Sequence, residues 1–526
     1  MKRFHVTGVC IPDRHYMVDL AEKVNTIIDE YIDQGAYFTI NRARQYGKTT
    51  MINALERSLR GRYVAISISL ESADDYFASM KVFVNGLAMD IAEELRRNHV
   101  REDIIDEWEQ KIEGDYPLKM LGQKISSLCK QTERKVVLMI DEADKSADNQ
   151  IFLSFLGMLR DKYLKREMGR DTTFHSVILS GVYDVKNLKS KLRPEEEKKY
   201  NSPWNIAVDF QVDMSFSPEE IAGMLQEYEK DHQICMDTAK ISRLIYEYTS
   251  GYPYLVSRLC QLADERLAGT KDFPDRQDVW TQRGIVAAEL MLRKQSNTLF
   301  DDMIKKMADF PKLKSMMQEI LFYGRKYLFE RDHYLIDLGV TFGFIKEING
   351  TVAIANRIFE TKLYDLFLSE MILDDTLGKI VTEERNQYIM DGMLQMQLVM
   401  EKFYQHYMEI YGDSDQKFVE QQGRKLFLLY LKPIINGTGN YYIEAQTRDA
   451  RRTDIIVDYR GRQFIIELKI WRGSEYNQRG EKQLAEYLDT YGADRGYLLS
   501  FNFNKNKKTG IQEILCDGKR ILEVTV

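Results

Sequence analysis

Residues 36–50 read AYFTINRARQYGKTT, and the order of events in this stretch decides the fold. Ala36 to Ile40 form a compact β-prone run that Asn41 ends. MINALERSL, at 51–59, has the apolar spacing of a helix. Between them stand Arg42, Ala43, Arg44, Gln45, Tyr46, Gly47, Lys48, Thr49 and Thr50. Strand, tight turn, helix with Gly-Lys-Thr at the junction is the pattern of a phosphate-gripping loop, G-x-x-x-x-G-K-[ST], with Arg42 in place of its first glycine. Each surviving residue has a physical task. Gly47 lets backbone N–H groups turn toward phosphate oxygens. The helix starting there aims its positive dipole end at the same place. Lys48 reaches the β- and γ-phosphates, and the Thr49 hydroxyl ligates Mg²⁺. The expected nucleotide cradle is therefore Arg44, Gln45, Tyr46, Gly47, Lys48, Thr49 and Thr50.

Working outward, KVVLMIDEADK at 135–145 supplies the other half of such a site. An apolar strand ends in Asp141, expected to hold magnesium through water, and Glu142, expected to polarise the attacking water. The competing reading is two acids capping the next helix. The string Asp141-Glu142-Ala143-Asp144 also matches a helicase motif, but no other helicase motif accompanies it. Ser180 ends the next strand, where a γ-phosphate sensor or a plain strand-end serine would stand. Arg160, Arg170 and Arg193 are candidates for a charge-stabilising arginine.

The surrounding pattern fits. AYFTI (36–40), YVAISISL (63–70), KVVLMID (135–141) and HSVILSG (175–181) are apolar throughout, as strands buried on both faces of a parallel sheet must be. Long amphipathic stretches between them make βαβ units, an α/β class. Residues 1–215 are expected to be the nucleotide-binding core and 216–290 a helical lid, opened by the helix start Ser217-Pro218-Glu219-Glu220. Residues 291–375 read as a winged-helix-like unit, in which Asn349-Gly350 joins two short strands. Residues 376–411 read as a helical linker. Residues 412–526 read as a helix, then strands, a helix and a final strand.

Bulk properties bound the function. A length of 526 residues implies three or four domains at roughly 150 residues each. The net charge of −7 excludes a general polyanion binder, leaving local basic groups such as Arg448, Arg451, Arg452, Lys505, Lys507 and Lys508, or merely a solvated surface. With no apolar run of bilayer-spanning length and no sustained apolar stretch after the basic residues of MKRFHVTGVCIPDRHY, neither a membrane anchor nor a signal peptide is expected. Cys10, Cys129, Cys235, Cys260 and Cys516 form no CxxC pair, so reduced thiols in a cytoplasmic protein are expected rather than a zinc site.

The C-terminal part holds a second constellation. YYIEA (441–445) carries Glu444, DIIVDY opens with Asp454, and RQFIIELKIW (462–471) carries Glu467 and Lys469 after a turn at Gly461. Residues two apart on a strand share a face, so Glu467 and Lys469 do. Asp454, across a hairpin, is expected to approach them. Two carboxylates that hold Mg²⁺, with a lysine to orient or deprotonate water, are what phosphodiester hydrolysis requires.

Two resemblances follow from these residues. Residues 1–370 resemble the AAA-ATPase-like branch of signal-transduction ATPases with numerous domains. That family shows Arg-x-Arg-x-x-Gly-Lys-[ST] without a leading glycine, a segment like Tyr16 to Asp19, and a lid element like Ser250-Gly251-Tyr252-Pro253-Tyr254. The resemblance implies that Pro253 lies near the nucleotide; a helix-opening proline is the alternative. Residues 415–503 resemble the PD-(D/E)XK nuclease superfamily. The match assigns Asp454, Glu467 and Lys469 to the catalytic set, Glu420 in FVEQQGRKLFLLYL to the acid of the first helix, and Gln483 with Tyr487 to the later helix. Asp454, Glu467 and Glu420 would be metal ligands. Thr453 stands where the pattern has proline.

Together these imply an ATP- and Mg²⁺-dependent switch controlling a nuclease that acts on nucleic acid, DNA in the first instance. A homo-oligomer is expected as well, and family analogy adds bacterial defence against foreign DNA. Two readings stand beside it: a nucleotide-dependent binding protein with an inactive nuclease fold, and an assembly scaffold with no nucleic-acid partner.

Overall fold

The computed structural model describes residues 2–143, 149–182, 204–323, 325–374, 385–411, 420–435, 439–443, 455–460, 462–504 and 508–526. The chain divides into two compact units. One comprises Met1–Tyr246, Gly251–Ala288 and Leu338–Gly343; the other comprises Glu247–Ser250, Glu289–Asp337 and Phe344–Val526.

The first unit opens with two short parallel strands, β1 (Arg3–Phe4) and β2 (His15–Tyr16), and helix α1 (Ala21–Ile27). Then come β3 (Tyr37–Asn41), α2 (Lys48–Leu59), β4 (Val64–Ser69), α3 (Met80–Arg97), α4 (Glu102–Glu109), α5 (Pro117–Gln131), β5 (Val136–Asp141), α6 (Gln150–Glu167) and β6 (Ser176–Gly181). The four long strands form a parallel sheet in the order β3-β6-β5-β4, so the expected strands all exist and all run parallel. One face, with Tyr37, Ile66, Leu138 and Val177, packs under α3, α5 and α6; the other, with Phe38, Ala65, Met139 and Ile178, packs under α1 and α2. Ile40, Ile66, Ile140 and Ile178 are fully buried. Burial of each is worth roughly 1.5–3 kcal/mol, more than the ~1 kcal/mol span of strand propensities, so two-sided burial fixes these strands.

The helices expected after residue 216 follow: α7 (Pro218–His232), α8 (Thr238–Thr249), α9 (Pro253–Leu262) and α10 (Gln282–Lys294). Ser217 caps α7 in a full capping box with Glu220. Next come α11 (Thr298–Asp309), α12 (Pro311–Tyr323), α13 (Tyr334–Thr341), the antiparallel pair β7 (Ile345–Ile348) and β8 (Thr351–Ile354), and α14 (Arg357–Asp374). Asn349 and Gly350 both have positive φ, 50° and 74°, which makes the two-residue turn the sequence signalled.

Two expectations need correction. The stretch 376–411 is not simply helical: strands β9 (Ile389–Met390) and β10 (Met393–Leu394) form a tiny hairpin ahead of α15 (Met396–Tyr411). Asp391 and Gly392 supply its positive-φ turn, a local signal that the helical spacing of the following Met and Tyr residues overshadowed. The C-terminal region also ends in three strands rather than one. It contains α16 (Glu420–Ile435), β11 (Gly439–Ile443), β12 (Ile455–Tyr459), β13 (Arg462–Ile470), α17 (Ser474–Thr490), β14 (Arg495–Phe501), β15 (Gly510–Cys516) and β16 (Lys519–Thr525), and Asp517-Gly518 turns the last pair. The sheet order is β11-β12-β13-β14-β16-β15, with β13, β14 and β16 parallel. Helix α17 covers one face through Leu484 and Leu488 on Ile465, Leu498 and Ile521.

Gly251 sits at φ +72°, and a Cβ there would fall 2.1 Å from the Phe216 carbonyl oxygen. Gly251→Ala is therefore expected to lower stability by more than about 1 kcal/mol, read as a lower denaturant midpoint of the first unit.

Candidate functional site

Register brings the first site together. Ile40 pairs with Ser180 and Asn41 with Gly181, while Ile140 pairs with Leu179 and Ser69 with Asp141. Asn41, Ser180 and Asp141 thus lie along the carboxyl edge of the sheet, with β6 between the loop strand and the acidic strand. Ligands bind at that edge of open α/β sheets. The loop itself is shaped by left-handed residues, Gln45 at φ 56° and Gly47 at φ 79°, the latter preceding the first residue of α2. Lys48 is buried, and its ammonium donates to the Arg42 and Ala43 carbonyls at 3.1 and 3.0 Å, at the heart of the loop. Asp141 is buried, and its Oδ1 accepts from the Glu142 N–H at 3.0 Å. Glu142 itself is turned to φ 56°. The Ser180 hydroxyl is fully buried and has no hydrogen-bond partner among the described residues.

Other contacts were not foreseen. The Thr50 hydroxyl accepts from the Cys10 N–H at 3.2 Å, which ties the N-terminal segment to α2. The Tyr252 hydroxyl donates to the Arg44 carbonyl, and its ring meets Tyr46 edge-on at 4.6 Å. Burial, the largest influence, pushes the Tyr46 phenol up to about 12. A Cβ on Gly47 would lie 3.9 Å from Pro253, and one on Gly343 would strike the Ala43 Cβ at 2.6 Å. Pro253 is both the first residue of α9 and a neighbour of the loop, so its two readings are compatible. Arg160 lies on α6 and Arg170 just beyond it; Arg193 is outside the described residues.

In the second unit, Glu467 is 1% exposed on β13, and the Lys469 ammonium stands 2.6 Å from its Oε1. The expected shared face is real. A Cβ on Gly480 of α17 would touch Lys469 Cε at 3.4 Å, so the helix crosses directly over the lysine. Gln483 and Tyr487 follow on the same helix, both half-buried. Glu420 is the first residue of α16; Gly423, one turn on, lies against Phe501, the register partner of Ile470, so the start of α16 is at the edge that holds Lys469. Ile455 pairs with Ile466, next to Glu467. Asp454 and Glu444 themselves lie outside the described residues, as do Gly461, Arg448, Arg451, Arg452, Lys505 and Lys507. Among the described residues, no three His, Cys, Asp or Glu side chains are grouped to hold a metal.

Comparison with known proteins agrees with this geometry. Residues 12–273 match the AAA-like domain family, and residues 440–514 match the PD-(D/E)XK nuclease superfamily. The chain joins an AAA-like domain to a PD-(D/E)XK domain. No curated protein matches it. Among solved structures it is similar to a Walker-type ATPase of Pyrococcus abyssi, at 13% identity over 68% of this chain and 99% of that one, TM-score 0.45. It is also similar to the Aeropyrum pernix ORC2 protein with ADPNP and ADP, at 12% identity over 67% and 94%, TM-score 0.35. The two domains place the chain among enzymes, an ATPase fold joined to a nuclease fold. Among the described residues, no helix is long and apolar enough to cross a membrane.

The AAA-like domain offers the chemistry ATP–Mg²⁺ needs: an inward lysine, N–H groups at a helix start, and an acid at the strand edge with Thr49 at the head of α2. Magnesium keeps several waters and takes only one or two protein ligands, which fits Thr49 as a direct ligand and Asp141 through water. The Ser180 hydroxyl is buried at that edge without a hydrogen-bond partner among the described residues. A hydroxyl buried without a partner costs free energy, so Ser180→Ala is expected to leave the melting temperature equal or higher. ATP turnover should fall about tenfold or more if Ser180 bonds charged phosphate. Unchanged turnover would make it a plain strand-end serine.

Proposed function

We propose that this protein is an ATP-controlled, Mg²⁺-dependent nuclease. ATP is held by Arg44, Gln45, Tyr46, Gly47, Lys48, Thr49 and Thr50, with Mg²⁺ on Thr49 and Asp141, Glu142 orienting the attacking water and Ser180 sensing the γ-phosphate. Asp454, Glu467 and Glu420 would hold the nuclease metal, which when bound would supply an activated water; Lys469 and Gln483 orient the water and the scissile phosphate. The observation that carries the nuclease half is buried Glu467 with the partly buried Lys469 ammonium 2.6 Å from it, on a strand next to β12. Burying the Glu467 carboxylate is expensive and is kept where the group is used or exceptionally well satisfied. The substrate is nucleic acid, DNA in the first instance, the assembly a homo-oligomer, and the role bacterial defence.

A shared carboxylate supports control of the nuclease by the preceding domains. In the second unit, Asp365 of α14 takes Arg293 Nη1 of α10 at 3.1 Å and the Tyr441 hydroxyl of β11 at 3.0 Å. Lys432 of α16 donates to the Asp365 carbonyl at 2.7 Å. Arg293 is also held by the buried Glu289 at 2.6 Å. The lid's last helix, the helix behind the hairpin, and two elements of the PD-(D/E)XK domain thus converge on one residue. A shift of α10 with nucleotide state must rearrange that node or carry the nuclease elements with it. Residues 291–375 act here as a winged-helix-like relay.

Lys469→Ala should cut Mg²⁺-dependent DNA cleavage by about a hundredfold or more while ATP hydrolysis stays within about twofold. Chelation by EDTA should abolish cleavage. Lys48→Ala should abolish the response of cleavage to ATP. Equal cleavage by wild type and Lys48→Ala, with and without ATP, would end the switch reading. Failure of wild type to cleave with Mg²⁺ would leave a nucleotide-dependent binding protein with an inactive nuclease fold.

A further inference from the structure

Strand β16 buries one charge in an apolar run, Ile521-Leu522-Glu523-Val524, where Glu523 is 1% exposed. Glu523 is in register with Leu498 of β14, and Leu498 with Glu467 of β13. Register partners in a parallel sheet project to one face, so Glu523 and Glu467 share the face that α17 covers. Both Glu523 oxygens are taken by side-chain amides: Asn477 Nδ2 donates to Oε1 and Gln512 Nε2 to Oε2. Buried Asn477 of α17 also donates to Glu481 Oε1 at 3.2 Å, and its Oδ1 accepts from the Ser500 hydroxyl at 3.2 Å. Ser500 is the register partner of Lys469. Three residues after Asn477, Gly480 passes over Lys469.

Packing alone does not call for this arrangement. Elsewhere on the same face α17 rests on Ile465, Leu498 and Ile521. Apolar contacts tolerate sliding, whereas matched donors and acceptors have one geometry, and a buried carboxylate that lost its donors would be costly. Each Glu523 oxygen is oriented by one N–H donor, so the carboxylate is held in place by side-chain amides of α17 and β15.

We propose that Glu523 and Asn477 are positioning residues, a lock that holds the first half of α17, with Gly480 and Gln483, in place over the Glu467–Lys469 pair. The proposal rests on the nuclease reading above. Neither residue touches substrate; both act through the helix.

The test exchanges the two groups across their bond in the full-length protein. Asn477→Asp sets carboxylate against carboxylate. The double variant Asn477→Asp/Glu523→Gln returns one carboxylate and one amide, with Ser500 and Gln512 still matched; the reference protein and both variants carry Glu481→Gln, so that the residue bonded to Asn477 at 3.2 Å can donate to the new carboxylate instead of repelling it. Plasmid cleavage is measured against Mg²⁺ concentration, and hydrogen exchange is followed over residues 474–483. The single variant should lose about tenfold or more in kcat, with half-saturating Mg²⁺ within about twofold of the reference, and the double variant should recover to within about threefold. Exchange over 474–483 should rise in the single variant and return in the double, with β13 and β14 protected throughout. A single variant within twofold of the reference, or a double no better than the single, overturns the lock. So does a fivefold or greater rise in half-saturating Mg²⁺, which would make Glu523 a ligand. If wild type cleaves no DNA, the nuclease reading falls, and exchange alone decides the lock: unchanged protection in the single variant refutes it.

Discussion

One constraint places most of the strand-borne chemistry of the two candidate sites: strands buried on both faces carry charge along their length only at a cost, so polar groups collect toward their carboxyl ends. In the first unit β3, β6 and β5 are covered by helices on both sides, and the residues with chemical potential begin where burial ends, at Asn41, Ser180 and Asp141. The loop after β3 then has to turn back into α2 within a few residues. That turn requires left-handed backbone at Gln45 and Gly47 and leaves N–H groups pointing into the space above the sheet. In the second unit the parallel trio β13, β14 and β16 repeats the constraint, with Glu467, Lys469 and Ser500 near the ends of their strands.

Where charge does enter the interior, the protein surrounds it. Isolated burial of a carboxylate or an ammonium costs several kcal/mol even after relaxation. Glu467 has Lys469, Glu289 has Arg293, Lys162 has Asp171 at 2.7 Å, and Glu523 has two amides. These pairs add little net stability, but they are directional where the apolar core is not. Glu481 shows the electrostatic side of such crowding: its carboxyl is raised, first by burial and then by the charge of Glu523, while the bond from Asn477 works against both.

The parts legible in the sequence were those whose residue types are dictated locally. A glycine that must adopt positive φ, a lysine after it, and an acid at the end of an apolar run stand in fixed order in the chain, so the phosphate loop and Asp141 could be read directly. The same holds for the capping box at Ser217 and the Asn349-Gly350 turn. Contacts that depend on distant segments folding together could not be read: Tyr252 and Gly343 on the loop, Cys10 on Thr50, and Asp365 as a meeting point. Glu523 was hidden for another reason. In LEV it looks like the polar member of an ordinary alternation, and only the register with β14 shows that its face is the covered one. The hairpin at 389–394 was hidden by competition, since a two-residue turn signal is weak beside sixteen residues of helical spacing in α15.

The bond from Tyr252 to the loop ends on a backbone carbonyl, that of Arg44. Every amino acid brings the same carbonyl, so the bond places no demand on which side chain stands at 44. Arg44 itself is exposed. A substitution at 44 would therefore change the charge that the loop carries while leaving the anchor of Tyr252 on the loop backbone in place.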